Sequence, residues 1–301
     1  MKKVIAFIIT TAFLFATMEV ALKIGGATFD SFQLTFLRFL IGGLLLLPFG
    51  IKEYRERKAA NDGCAYMSGR DWLWLLLCGI MCIPVSMVLF QLGVLRCNAA
   101  TAASIMCLNP IFTMVLAHIF TNEKMSRPKY YAVGIALAAC VFLMRPWDVQ
   151  EGNTPLGLVL MLAAAISFAA YTVMGKRTLA KVGTYTQTSI SFILGSLALL
   201  VIILMTGRPV LAGVAEHPLT VAYVGIMITG VGYLCYFLAI KYSDATTGSI
   251  AFFIKPGIAP FLAVFILHET IAWNTVVGIL LLFLASYITI RDTRRSQAKA
   301  S

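Results

Sequence analysis

The chain has 301 residues, of which 60% are hydrophobic and only 12% charged, against about 45–50% and 25% in soluble domains. A mean hydropathy of +0.88 leaves too little polar surface to clothe a water-soluble globule, and the same composition excludes disorder. The net charge of +11 does not point to nucleic acid, because the basic residues lie in short gaps between apolar runs rather than on one surface stripe.

Lys2 and Lys3 precede an apolar run from Val4 to Met18, as in a secretory leader. More spanning segments follow it, so the run reads as a first transmembrane helix. A helix needs about 20 mostly apolar residues to cross the hydrocarbon core. Stretches of that kind fall near 4–24, 33–51, 72–94, 98–120, 130–145, 156–176, 184–205, 219–240, 245–267 and 272–290. None alternates apolar and polar residues as a barrel strand does. The expected fold is an all-α membrane protein of ten transmembrane helices.

Orientation follows from the basic residues. With the N-terminus cytoplasmic, 18 of the 24 Lys and Arg face the cytoplasm, and the outer loops hold only Arg96, Arg145 and Arg208. Lys23, Arg38 and Lys255 remain within spans. The positive-inside rule then places both termini in the cytoplasm.

The sequence also repeats. Segment 98–123 overlies 244–269 at a constant offset: Asn98 meets Asp244, Asn109-Pro110 meets Lys255-Pro256, and Glu123 meets Glu269. Phe15-Ala16 and Lys23 align with Phe168-Ala169 and Lys176. Five helices per half is an odd number, so the halves (1–145 and 156–290, joined by an outer linker at 146–155 and followed by a basic tail at 291–301) must lie in opposite orientations. Many secondary transporters are built from such inverted repeats around a central cavity.

The stretch FATMEVALK from Phe15 to Lys23, Leu37-Arg38-Phe39, and Asn98 to Met125 with Pro110 and Asn122-Glu123 resemble the first repeat of the EamA family. Ala170-Tyr171-Thr172-Val173, Lys255-Pro256 and His268-Glu269 resemble the second. The resemblance is to the ten-helix drug/metabolite transporter superfamily and covers nearly the whole chain. It implies transport, commonly efflux across a bacterial inner (plasma) membrane.

Charges inside spans are costly and mark functional sites by default. Lys255 lies about 15 Å from either end of the ninth span, too deep for its stem to snorkel out. Contact with substrate or coupling ion is one role for it; a structural pairing with a carbonyl or with Glu19 is the other. Glu19 is the lone carboxylate deep in any span. Arg38 on the second span lies at a similar depth, so a Glu19–Arg38 ion pair is expected, with Lys23 at i+4 able to join it or to anchor at the interface. Glu19 is either a proton-coupling group or half of a helix lock. Asn109, the repeat partner of Lys255, is expected in the same central space. Tyr171, Tyr236 and Gln91 are candidate cavity residues, whereas Tyr233 is expected to pack. Pro110, Pro256 and Pro260 are candidate hinges.

Asn98 and Asp244 are expected N-caps of their helices, with Glu123 and Glu269 at the opposite ends. Small residues at those starts (Ala99 to Ser104, Thr246 to Ser249) allow close helix approach. No metal-binding, serine-hydrolase or nucleotide motif occurs, so neither catalytic residues nor cofactors are expected. The expected partners are the bilayer and a small organic solute, amino-acid-like or otherwise anionic or zwitterionic. Protons are the candidate coupling ion, and the chain is expected to act as a monomer. Uptake instead of efflux stays open. An intramembrane enzyme and a non-transporting sensor or assembly protein are weaker alternatives: the first lacks a nucleophile or ligand set, the second a large soluble domain.

Overall fold

A computed structural model describes residues 2–60, 67–121, 125–145, 151–242 and 250–300. Within them the fold is all helical. Helix α1 runs over Lys2–Ala16 and Met18–Gly26, α2 over Ser31–Ala59, and α3 over Gly69–Ile80, Met81–Met87 and Val88–Val94. Helix α4 covers Ala99–Met106 and Asn109–Phe120, α5 Arg127–Met144, α6 Pro155–Val182 and α7 Thr184–Met205. Helix α8 covers Pro218–Ala222, Tyr223–Val231 and Gly232–Lys241, followed by α9 (Ile250–Leu267) and α10 (Trp273–Ala300). Among the described residues, nine helices are long and apolar enough to cross a membrane, and Ile254–Leu267 makes a shorter apolar one. The first part of the expected ninth span, 245–249, lies outside the described residues.

Helix starts follow local chemistry. Asp30 caps α2, its carboxylate accepting from the Phe32 amide at 2.9 Å. Ser68 and Asp71 form a reciprocal capping box on α3. Prolines begin α6 and α8 in the first turn, where the missing N–H costs nothing.

Helix α2 packs along α7, with Phe39 edge-on to Phe192 at 4.8 Å between ring centroids. Helices α3 and α7 approach backbone to backbone at Gly79 and Gly195, where a Cβ on either would strike the other's main chain. The middle stretches of α3 (Met81–Met87) and α8 (Tyr223–Val231) are π-helical, and in α8 the Thr229 hydroxyl donates to the Val224 carbonyl five residues back, at 2.7 Å. Helices α1, α4 and α9 meet through small side chains: Ala16, Ala103 and Ala259 in one cluster, Val20, Ala99, Ala100 and Ala263 in the next. This close approach brings the charges of α1 up to α9.

The prolines behave unequally. Helix α4 is interrupted at Cys107–Leu108, and Pro110 falls in the first turn of the restarted helix. The Ile111 amide reaches back to the Leu108 carbonyl at 2.9 Å, and Pro110 has no N–H to offer Met106. Helix α9, in contrast, continues unbroken through Pro256 and Pro260. Of the three candidate hinges, Pro256 and Pro260 therefore lie within a continuous helix, and only Pro110 stands at a break.

Candidate functional site

Lys255 on α9 and Glu19 on α1 form an ion pair at 2.6 Å, their side chains 4% and 1% exposed. The second carboxylate oxygen of Glu19, Oε2, is buried without a hydrogen-bond partner among the described residues. Arg38 on α2 is 1% exposed. The expected Glu19–Arg38 ion pair does not form: Arg38 makes no ion pair among the described residues. Its Nη2 lies 3.4 Å from the Met87 sulfur, and its Nε has no partner among the described residues. Its guanidinium sits over the Phe39 ring at 4.5 Å and near Phe90 at 5.8 Å. Aromatic faces offset part of the desolvation of a guanidinium, which explains how the charge is held without a carboxylate.

These groups surround one small cavity. Its wall includes Phe15, Arg38, Asn109, Phe168, Tyr233 and Lys255. Asn109 and Lys255, paired in the sequence repeat, thus share a space, as do Phe15 and Phe168. Asn109 donates to the Ala165 carbonyl at 3.2 Å. The cavity measures about 40 Å³, room for a few water molecules at most. Sites for drug-sized ligands measure about 300–1,000 Å³, so an organic solute enters only if the helices part.

Several expectations are corrected. Tyr233, expected only to pack, lines the cavity. Tyr171, Tyr236 and Gln91 do not. Tyr171 is buried beside Phe168, with ring centroids 5.5 Å apart, and Tyr236 packs on Phe237 at the same distance. Gln91 is drawn away toward the end of α1, where its amide donates to the Leu22 carbonyl at 3.1 Å. Met87, Cys107 and Thr229 also line the cavity. Sequence reasoning missed them, because a Met, Cys or Thr inside a span reads as packing.

Lys23 does not join Glu19. It bonds Glu269, just past α9, at 2.5 Å and the Cys97 carbonyl at 2.9 Å. The Glu269 carboxylate also accepts from the Ala99 amide at 2.7 Å and the Ala100 amide at 3.5 Å. It therefore supplies the anion that the N-terminus of α4 favours. Asn98, expected to cap that helix, makes no capping bond. Its side chain donates instead to the Glu151 carbonyl at 2.9 Å. The repeat had singled out Glu269, but its partner was hidden by 170 residues of separation. Asp244, Glu123 and the small residues 246–249 lie outside the described residues.

A bundle of apolar helices around buried charges, with no large soluble part among the described residues, is the build of a multi-pass membrane transporter. The sequence pattern of the EamA-like transporter family matches residues 2–145 and 155–291, and the chain belongs to that family. It is 35% identical to an uncharacterized transporter of Clostridium kluyveri over 98% of this chain and 96% of that one. It is 27% identical to an uncharacterized transporter of Archaeoglobus fulgidus over 93% and 94%. A solved crystal structure shares the fold with a TM-score of 0.66 at 17% identity, covering 98% of both chains.

Proposed function

We propose that this protein is a secondary carrier that exports small organic solutes bearing an anionic group. Two inverted five-helix halves alternate access to the central cavity in the plasma membrane, with both termini in the cytoplasm. One observation carries the reading: Arg38 and Lys255 line the central cavity, and among the described residues Glu19 is the sole carboxylate paired there. Lys23, counted with them from sequence alone, is neutralised by Glu269. The cavity thus keeps one uncompensated positive charge. A solute carboxylate 4 Å from it would gain about 4 kcal/mol at an effective dielectric near 20.

The geometry supports an exchange. The solute's anionic group replaces Glu19 as the partner of Lys255 and takes the open donors of Arg38. Glu19, released, accepts a proton, so solute and proton occupy the site in alternation. The 40 Å³ cavity is then the closed form, widened as helices of the two halves separate.

The test is solute efflux from proteoliposomes loaded with a panel of amino acids and organic acids. Arg38→Gln and Lys255→Ala are each expected to abolish efflux while the protein still inserts. Glu19→Gln is expected to leave transport that no longer responds to a pH gradient. Full efflux in Arg38→Gln and Lys255→Ala would reject the charge-based site.

A further inference from the structure

A second and larger cavity, about 540 Å³, opens between α2, α7 and α8 at the end of the bundle where α1 begins. The exchange at Lys255 makes no use of it. Its size falls within the range of organic ligand sites, about 300–1,000 Å³. Phe49, Tyr185 and Phe237 form an apolar wall of rings in contact, with centroids 6.2 Å apart for Phe49–Tyr185 and 5.7 Å for Tyr185–Phe237.

The charged groups of this vestibule are not equally available. The Glu53 carboxylate is occupied by the start of α7, accepting from the Thr184 amide at 3.1 Å and the Thr186 amide at 2.9 Å. Lys52 and Glu56 face each other at 3.8 Å. Lys241 makes no ion pair among the described residues and lines the same space. Tyr185 is 7% exposed, yet its hydroxyl has no hydrogen-bond partner among the described residues. A buried hydroxyl is seldom left so, because losing water without a replacement is costly.

We propose that this vestibule is a second solute site, for amphipathic organic anions. A flat apolar body lies against Phe49 and Phe237, and the carboxylate accepts from the Tyr185 hydroxyl and the Lys241 ammonium. The rings continue inward: Phe237 meets Tyr233 at 6.2 Å, and Tyr233 meets Phe15 at 5.2 Å. Tyr233 and Phe15 belong to the central cavity, so one run of aromatic rings joins the two spaces. The role of the vestibule as a waiting position before the central site rests on the carrier reading; binding there does not.

The test uses the full chain in phosphatidylcholine nanodiscs and 4-fluorobenzoate as probe, followed by fluorine NMR line broadening. The wild type is expected to broaden the line. Tyr185→Phe and Lys241→Gln should each weaken binding about tenfold, the loss of one charge-assisted contact. Arg38→Gln, which removes one cation from the central cavity only, should keep the broadening that Tyr185→Phe and Lys241→Gln lose. No broadening by the wild type, or broadening lost in Arg38→Gln and kept in Tyr185→Phe, would overturn the proposal. So would equal broadening of 4-fluorobenzylamine, a cation, or displacement of the probe by phosphatidylglycerol-rich discs, which would assign the space to lipid. Probe binding without transport of any solute sinks the carrier reading and keeps the site; transport without probe binding does the reverse.

Discussion

Helix α1 presents two charges one turn apart, and α9 with the loop after it answers each with the opposite sign. At mid-bundle, Glu19 meets Lys255 with both side chains under 5% exposed. At the rim, Lys23 meets Glu269 with side chains 26% and 9% exposed. The chemistry is the same and the surroundings differ. The rim pair is also tied to backbone amides of α4, so every Glu269 oxygen has a donor. The central pair leaves a carboxylate oxygen and a nearby guanidinium nitrogen without partners among the described residues. The rim pair is built as a fastening. The central pair is left with valences to spare, as the proposed exchange requires. The alternation of signs along α1 also fixes its register, because sliding α1 by one turn would oppose like charges.

Breaking the pairs in turn sharpens this contrast. Glu19→Gln leaves Lys255 and Arg38 buried without a counter-charge, and a loss of about 3–5 kcal/mol is expected. Thermal unfolding in detergent reads it. The double change Glu19→Leu with Lys255→Met should recover most of that loss, since an apolar replacement of a buried pair is often neutral or better and Arg38 keeps its aromatic neighbours. Failure to recover would mean that the pair holds the helices together in its own right. Glu269→Gln removes the ion pair and weakens the charge-assisted bonds to α4, with about 1–3 kcal/mol expected. Faster hydrogen exchange at Ala99 and Ala100 would localise that loss. Lys23→Ala is the mildest of the three single changes, about 0.2–1 kcal/mol, and its effect should shrink in high salt. A Lys23→Ala loss as large as that of Glu19→Gln would erase the distinction between the two pairs.

Much of this was legible in the sequence. Apolar runs marked the membrane-spanning part of the helices, because bilayer thickness sets its length, whereas α2, α6 and α10 run on past the expected ends to Ala59, Val182 and Ala300. Lys255 stood out because its stem cannot reach water from the middle of a span. Which groups meet was only partly legible: a Lys255–Glu19 pairing was one of two roles open to Lys255 and it forms, whereas the expected Glu19–Arg38 pair does not. Glu19 and Arg38 lie at matching depths on successive helices, yet α1 turns its charged face to α9, and Arg38 is held by Phe39, Phe90 and Met87 instead. Depth can be counted along a chain; facing cannot, since it depends on how alanines at Ala16, Ala103 and Ala259 let three helices close up. Asn98 illustrates the same limit. Its type suits a cap, but a carboxylate delivered from across the bundle takes the position.

The unusual turns in α3 and α8 carry a consequence of their own. Each stretch, Met81–Met87 and Tyr223–Val231, is wound more loosely than its flanks, and each contributes to the cavity wall through Met87 or through Ile228 and Thr229. Tightening such a stretch by one residue swivels everything beyond it by about 100° while the main chain stays internally bonded. Two spans can therefore turn different side chains toward a passing molecule without ever baring a polar backbone to oil.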